Sequence, residues 1–229
     1  MPEPRLQDVP HADRRGDPVR GQRPGRPAAT SGLSGQALQP FRSNCNPSPS
    51  CSTEATSIFA QAPSWRAYEG SMPAGCLRQD SGPESKGYPV RHNLPPYYTS
   101  LADCPQHDRP LARLWGDLAR NSLSAFSFIT PNLCHATHDC PVGTGDGWLA
   151  SKVPQILDSP AYRAGHTALF ITWDEGGGGS ASDCATNESD VGCHVATVIV
   201  SPSTPPGQRS DPPAALLALE RLPVLGGDR

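Results

Sequence analysis

The stretch Thr167–Gly179, TALFITWDEGGGG, decides how the rest of the chain is read, because a short apolar run ends on two adjacent carboxylates and then on four glycines. Leu169, Phe170, Ile171 and Trp173 are aliphatic, β-branched or aromatic, and the run is too short for a helix. It therefore predicts a strand covered on both faces. In open α/β sheets ligands collect beyond the carboxyl ends of the strands, which is where Asp174 and Glu175 fall. Neighbouring carboxylates repel each other and resist desolvation unless a cation or buried donors compensate, so a metal ion is one reason to place them together. The other reading is that they open a solvated, glycine-rich turn. Gly176–Gly179 are not followed by the Lys-Ser/Thr of a phosphate loop, and they let the backbone turn tightly beside a ligand.

Working outward, Ser124–Thr130 (SAFSFIT) alternates phenylalanines with small polar residues and is stopped by Pro131, which predicts a second strand. Val195–Val200 (VATVIV) predicts a third, buried strand ending at Ser201–Pro202. Helices are expected at Thr53–Gln61, capped by Ser52 or Thr53 with Ile58 and Phe59 inward, and at Pro110–Arg120, where Leu111, Leu114, Trp115 and Leu118 share a face. A further helix, Trp148–Leu157, is expected to be interrupted by Pro154. Trp65 and Tyr68 read as packing residues, and KGYPVRHNLPPYY as an extended, proline-limited segment. This order of elements is that of an α/β protein. The carboxyl ends of the strands holding Phe128, Ile171 and Ile199 are expected on one side of a single sheet, bringing His138 and Asp174 into one pocket.

The 229 residues suffice for one sizeable domain or two small ones, and 22 glycines with 27 prolines imply a loop-rich fold. No apolar run reaches the length of a transmembrane segment. A formal net charge of -3 gives no electrostatic case for nucleic acid or an anionic membrane as partner. Eight cysteines point to an oxidising compartment, with local pairs expected between Cys45 and Cys51, Cys134 and Cys140, and Cys184 and Cys193, leaving Cys76 for Cys104. The opening MPEPRLQDVPHADRR has no apolar core of a signal peptide. Residues 1–28 show no periodicity and are expected to be disordered; residues 208–229 are at best one short helix.

Polar clusters follow each predicted strand: His138–Asp139, Asp174–Glu175 and the Ser201–Pro202 turn. His92 in the RHN segment and His194 before the last strand are further candidates, since imidazole binds metal or phosphate and transfers protons near neutral pH. A histidine in a loop is more often a solvated or structural residue, and His107 and His166 carry no further signal. The segment NLCHATHDC offers an alternative as a small zinc site, although it lacks a C-x-x-C knuckle.

With these residues in view, the chain resembles the bacterial phosphoesterase family that includes secreted acid phosphatases and phospholipases of type C, within the alkaline-phosphatase-like superfamily. The matching pieces are CSTEATSIFAQ, SWRAYEGSMPAGC, VRHNLPPYY, FSFITPNLCHATHDC, GWLASKVPQILDSPAY, TALFITWDEGGGG and HVATVIVSPSTPPG. The resemblance implies an α/β/α sandwich around a largely parallel sheet, a divalent cation, a phosphate-ester substrate and a Ser or Thr nucleophile. It makes Asp174 and Glu175 the metal carboxylates, and His92, His138 and Asp139 the lining of the phosphate pocket. It also implies an extracellular or periplasmic setting.

Family members open on a strand with a Glu-Asn metal motif and then carry a His-Pro-Ser-like nucleophile segment; residues 1–28 match neither and resemble a shifted reading frame. The expectation is thus a partial phosphoesterase domain over residues 29–207, followed by a divergent tail at 208–229. Little or no phosphatase activity is expected of this chain as written, its nucleophile segment being absent. An inert phosphate-binding remnant is the alternative of a different class.

Overall fold

Trp65–Glu69 (β1) is the central strand of the fold, paired in parallel with Asp108–Pro110 (β2) on one side and Phe126–Thr130 (β3) on the other. The computed structural model describes residues 45–54, 57–173, 189–207 and 209. The sequence reading took Trp65 and Tyr68 only as packing residues. They are packing residues of a strand, buried on opposite faces of it. The odd positions Trp65, Ala67 and Glu69 turn one way and Arg66 and Tyr68 the other, as the two-residue period of a strand requires.

Register then assigns the neighbours. Phe126 and Phe128 lie beside Trp65 and Ala67, and with Phe59, Leu94, Tyr98 and Leu101 they make an aromatic-rich core. Phe59 is fully buried, with ring centroids 5.0 Å from Trp65, 5.5 Å from Phe126 and 6.0 Å from Phe128, within the range where edge-to-face pairs gain energy beyond area alone. It sits on the short helix Ile58–Gln61 (α1), capped by the Ser57 hydroxyl, not by Ser52 or Thr53. Thr53 instead bridges Tyr98.

On the opposite face Tyr68 and Ile129 pack against the helix Ala112–Ala119 and against Ile156 of the helix Val142–Leu157. The second helix is longer than expected and runs through Pro154. The Gln155 amide bonds the Ser151 carbonyl at 2.7 Å, and the Ser151 hydroxyl bonds that of Trp148 at 2.8 Å, so side chains hold carbonyls just upstream of the proline. A parallel sheet with helices thus makes this an α/β protein, an incomplete α/β sandwich.

The expected single sheet is corrected by the structure. Leu169–Thr172 (β4) pairs antiparallel with Thr197–Val200 (β5) in a separate two-stranded sheet, so the carboxyl ends of the Ile171 and Ile199 strands point in opposite directions. Nor are these strands buried on both faces: β4 is half-buried, and Val198 and Ile199 are about half exposed, at 49% and 46%. An apolar run fits a sheet interior and an edge ribbon equally well, since periodicity alone says nothing of what lies beyond the strand.

Three of the four expected disulfides are present, Cys45–Cys51, Cys76–Cys104 and Cys134–Cys140. The fourth, Cys184–Cys193, lies outside the described residues, as do the expectations for residues 1–28 and for the glycine run. Among the described residues no helix is long and apolar enough to cross a membrane.

Two outcomes follow from this packing. Gly70 leaves β1 so close to β3's exit that a Cβ would stand 2.3 Å from the Asn132 backbone nitrogen. Gly70→Ala should therefore destabilise the chain by about 1–3 kcal/mol in urea unfolding, the range for overpacking. Cys76–Cys104 closes the longest loop, with a separation of 28 residues against 6 for each of the others. Replacing that pair by serine should lower stability by about 3–4 kcal/mol, against about 2 for either short loop, on the chain-entropy estimate.

Candidate functional site

Beyond the carboxyl end of β3 the chain enters a tightly held loop, residues 131–141. Ala136 N–H bonds the Asn132 carbonyl at 2.8 Å, His135 N–H bonds the Asn132 side-chain oxygen at 2.9 Å, and Asp139 N–H bonds the Leu133 carbonyl at 3.2 Å. The amide of buried Asn132 reaches back to the Ser71 hydroxyl at 3.0 Å and the Lys86 carbonyl at 3.2 Å. The Cys134–Cys140 disulfide closes the loop. Thr137 is held at φ 66°, a left-handed conformation a β-branched residue rarely adopts, and its methyl would lie 2.3 Å from a Cβ at Gly145. Glycine at 145 is what allows the long helix to pass so near.

This loop delivers His138 and Asp139. The His138 imidazole bonds the Asp139 carboxylate through Nδ1 at 2.6 Å, which leaves Nε2 as its outward-acting nitrogen. His138 is buried, whereas 26% of the Asp139 side chain is exposed. His92 arrives from a different segment, the 3-10 turn Val90–His92, and its ring centroid lies 5.4 Å from that of His138. Desolvation, together with Arg91 and His138 nearby, lowers the His92 pKa to about 3. His92 is therefore held neutral at mildly acidic pH, whereas the imidazole bonded to a carboxylate is His138.

Of the sequence-predicted site residues, His92, His138 and Asp139 come together. Asp174 and Glu175 lie outside the described residues. His107 is structural: it bonds the Trp65 carbonyl at 3.0 Å and Asp103 at 3.1 Å, and its ring lies on Trp65. His135 is stacked on Trp148 at 6.0 Å. The zinc alternative on NLCHATHDC loses its thiols to the Cys134–Cys140 bond. Another trio, Cys76, Cys104 and Asp108, has potential donor atoms within 4.8 Å of one another. Its two sulfurs are joined in a disulfide and offer no thiolate, so this donor set does not fit a cation.

The sequence reading missed a buried polar cluster that includes Asn93, the residue after His92. Glu69, Asn93 and Asp108 are 1%, 0% and 0% exposed. Asn93 Nδ2 donates to Asp108 at 2.7 Å and to the Tyr88 hydroxyl at 2.8 Å, and the Thr130 hydroxyl donates to Glu69 at 3.0 Å. Burial, and then the charge of Asp108, raise the Glu69 pKa well above the ordinary range. Burial likewise pushes Asp108 up to about 7, against the pull of Asn93 and the Cys76 amide. One signal was available: WRAYEG ends an apolar strand on an acid and a glycine, the same pattern that TWDEGGGG shows.

A histidine–aspartate pair on the loop after β3 thus meets a second histidine, kept neutral by burial, from the turn Val90–His92. The chain belongs to the phosphoesterase family, whose profile matches residues 19–213. It is similar to the phosphate-repressible acid phosphatase of Penicillium chrysogenum, 26% identical over 49% of this chain and 28% of that protein. It is similar also to an acid phosphatase of Aspergillus fumigatus, 25% identical over 70% of this chain and 37% of that protein. The chain therefore spans about a third of the length of these fungal relatives.

The depressed basicity of His92 has a direct readout. Its ring resonances in a pH-resolved NMR titration should remain those of neutral imidazole down to about pH 4. A His92 midpoint near 6.5 would show the ring to be solvated and the pocket open.

Proposed function

We propose that this chain carries the phosphate-handling part of a phosphoester hydrolase of the acid-phosphatase type. The observation that supports it most is the pairing of His92 with His138 at 5.4 Å beside Asp139, on a disulfide-closed loop. Asp139 orients His138 by accepting from Nδ1–H, so that Nε2 is left to hydrogen-bond a phosphoryl oxygen or the leaving oxygen. His92, kept neutral by burial, adds a second hydrogen bond. The division of roles follows from environment: one imidazole has a carboxylate partner and the other has none.

Asp174 and Glu175 are the residues proposed to hold a divalent cation; when bound, such an ion polarises phosphoryl oxygens and favours an ionised hydroxyl nucleophile. No hydroxyl nucleophile is assigned among the described residues, and binding of phosphate is accordingly expected to exceed turnover. The three disulfides support a setting outside the cytoplasm, extracellular or periplasmic.

The test is calorimetric titration with inorganic phosphate, run beside a chromogenic phosphate-ester assay with and without added divalent cation. His138→Ala should weaken phosphate binding about 10-fold or more, the worth of one charge-assisted hydrogen bond, and Asp174→Ala should abolish the cation's effect. Binding unchanged by both His92→Ala and His138→Ala would overturn the assignment. Turnover comparable to that of an intact acid phosphatase would overturn the expectation of an incomplete site.

A further inference from the structure

In the buried cluster that includes Asn93, the residue after His92, two oxygens lack partners. Asn93 spends both amide hydrogens, on Asp108 Oδ2 at 2.7 Å and on the Tyr88 hydroxyl at 2.8 Å. The Tyr88 hydroxyl in turn donates to the Leu77 carbonyl at 2.7 Å. The polar atoms of this cluster with no hydrogen-bond partner are Asn93 Oδ1 and Asp108 Oδ1. Amide and carboxyl groups are flat, each with two polar atoms along one edge. One atom of each is joined to the other at 2.7 Å, and the two orphaned oxygens belong to this same pair of groups. With Asp108 ionised, that pair is left with two buried acceptors and no donor, which is destabilising. With a proton on Asp108 Oδ1, it becomes a donor and an acceptor.

Among the described residues, nothing around Asp108 supplies a positive charge in the proton's place. From β1 it faces Glu69, a second acid, which takes its hydrogen bond from Thr130 of β3. From the intervening loops it faces Tyr88, the Cys76 amide and the oxidised Cys104 sulfur, with Met72 touching Asn93 and Tyr97 near Tyr88. Its chain neighbours turn elsewhere: His107 to Trp65 and Asp103, Arg109 to Gln106 and Asp117. Among the described residues no Lys, Arg or His forms an ion pair with Glu69 or Asp108.

We propose that Asp108 is held as a neutral carboxylic acid whose hydroxyl donates to Asn93 Oδ1, and that this shared proton fixes the turn carrying His92. Asn93 is the residue immediately after His92, and its N–H closes the turn onto the Val90 carbonyl at 2.9 Å. An Asn93 clamped at both edges of its amide cannot rotate, and the His92 ring is set by it. Asp108 is thus a positioning residue for His92. The direction is fixed: the raised acid holds its proton at mildly acidic pH, and the clamp opens as pH rises through about 7. Only the consequence for phosphate binding rests on the function proposed above; the shared proton does not.

The experiment uses the full chain. Infrared spectra from about pH 4 to about pH 8 should show a protonated-carboxyl C=O band that bleaches as pH rises through about 7, is missing from Asp108→Asn and persists in Glu69→Gln. Asparagine at 108 presents an amide hydrogen to Asn93 Oδ1 while its oxygen accepts from Asn93 Nδ2. Asp108→Asn should therefore keep the fold, and its thermal midpoint should gain on that of the unaltered chain as pH rises over this range. Asp108→Ala should lower the midpoint at every pH. His92 ring resonances should shift near pH 7 in the unaltered chain, without His92 itself titrating, and stay still in Asp108→Asn. No protonated band in the unaltered chain at pH 5, or a band unchanged in Asp108→Asn, overturns the shared proton. His92 resonances that do not move overturn its positioning role. Loss of phosphate binding with the spectra as expected would count against the proposed function alone.

Discussion

Strand β1 carries a buried hydrogen-bonding group toward an acid on each of its faces, and the two acids are stabilised by opposite means. On the helix face the Tyr68 hydroxyl donates at 2.8 Å to Asp117, which also receives Arg66 at 3.1 Å, Arg120 at 2.7 Å and Arg109 at 3.6 Å. Burial alone would raise the Asp117 pKa, but Tyr68 and the guanidinium groups hold it below the ordinary value. Together these contacts keep the charge on a carboxylate that burial alone would disfavour. On the loop face Glu69 and Asp108 have no cation, so they keep protons instead. The helix Ala112–Ala119 is thereby pinned by charge, while the opposite layer is pinned by neutral hydrogen bonds and the Cys76–Cys104 bond.

That difference explains why the site sits where it does. The helix face is sealed by side chains on regular elements. The loop face is built from two 3-10 turns and a bridged loop, Ser81 to Tyr88, whose backbone hydrogen bonds are largely local. Such a layer brings residues from separate segments close together, as with His92 and His138, and it needs tethers to hold them. Those tethers are Asn132 to Ser71 and Lys86, the Cys134–Cys140 bond, and the Asn93 amide at the base. Functional groups lie on the layer whose geometry depends on specific bonds.

How much of this was legible in the sequence depended on whether the signal was local. Phe126 and Phe128 alternate in a short run, and the strand at Phe126–Thr130 was read from that alone. The His138–Asp139 contact joins adjacent residues, and its disulfide spans six, so both were readable by spacing. The strand Trp65–Glu69 was missed because its alternation is masked: the even position Tyr68 is as buried as Trp65 and Ala67, since helices cover that face too. The burial of the Ile171 and Ile199 strands was overestimated, because composition shows what a strand would tolerate, not what packs on it. Asn93 and Asp108 meet across fifteen residues of proline-rich chain, where no period links them. A buried amide–acid pair has no sequence signature at all.

The pH response of the fold is a contest between groups with opposite signs over the same window. His92, lowered from 6.5 to about 3, binds its proton in the unfolded chain first, so its contribution to stability is full above about 6.5 and is lost as pH falls toward 3. Asp108, raised from 3.8 to about 7, does the reverse: its contribution is full below about 3.8 and is lost as pH rises toward 7. Taken alone these two nearly cancel. Glu69, raised in the same direction as Asp108, adds to its side, and His135, lowered by burial and by Lys152 and Lys86, adds to that of His92. Asp117, lowered, withdraws stability only below its unfolded value of 3.8. Buried acids and buried histidines are thus set against each other over the same window, and the burial that raises Asp108 also clamps the turn on which His92 stands.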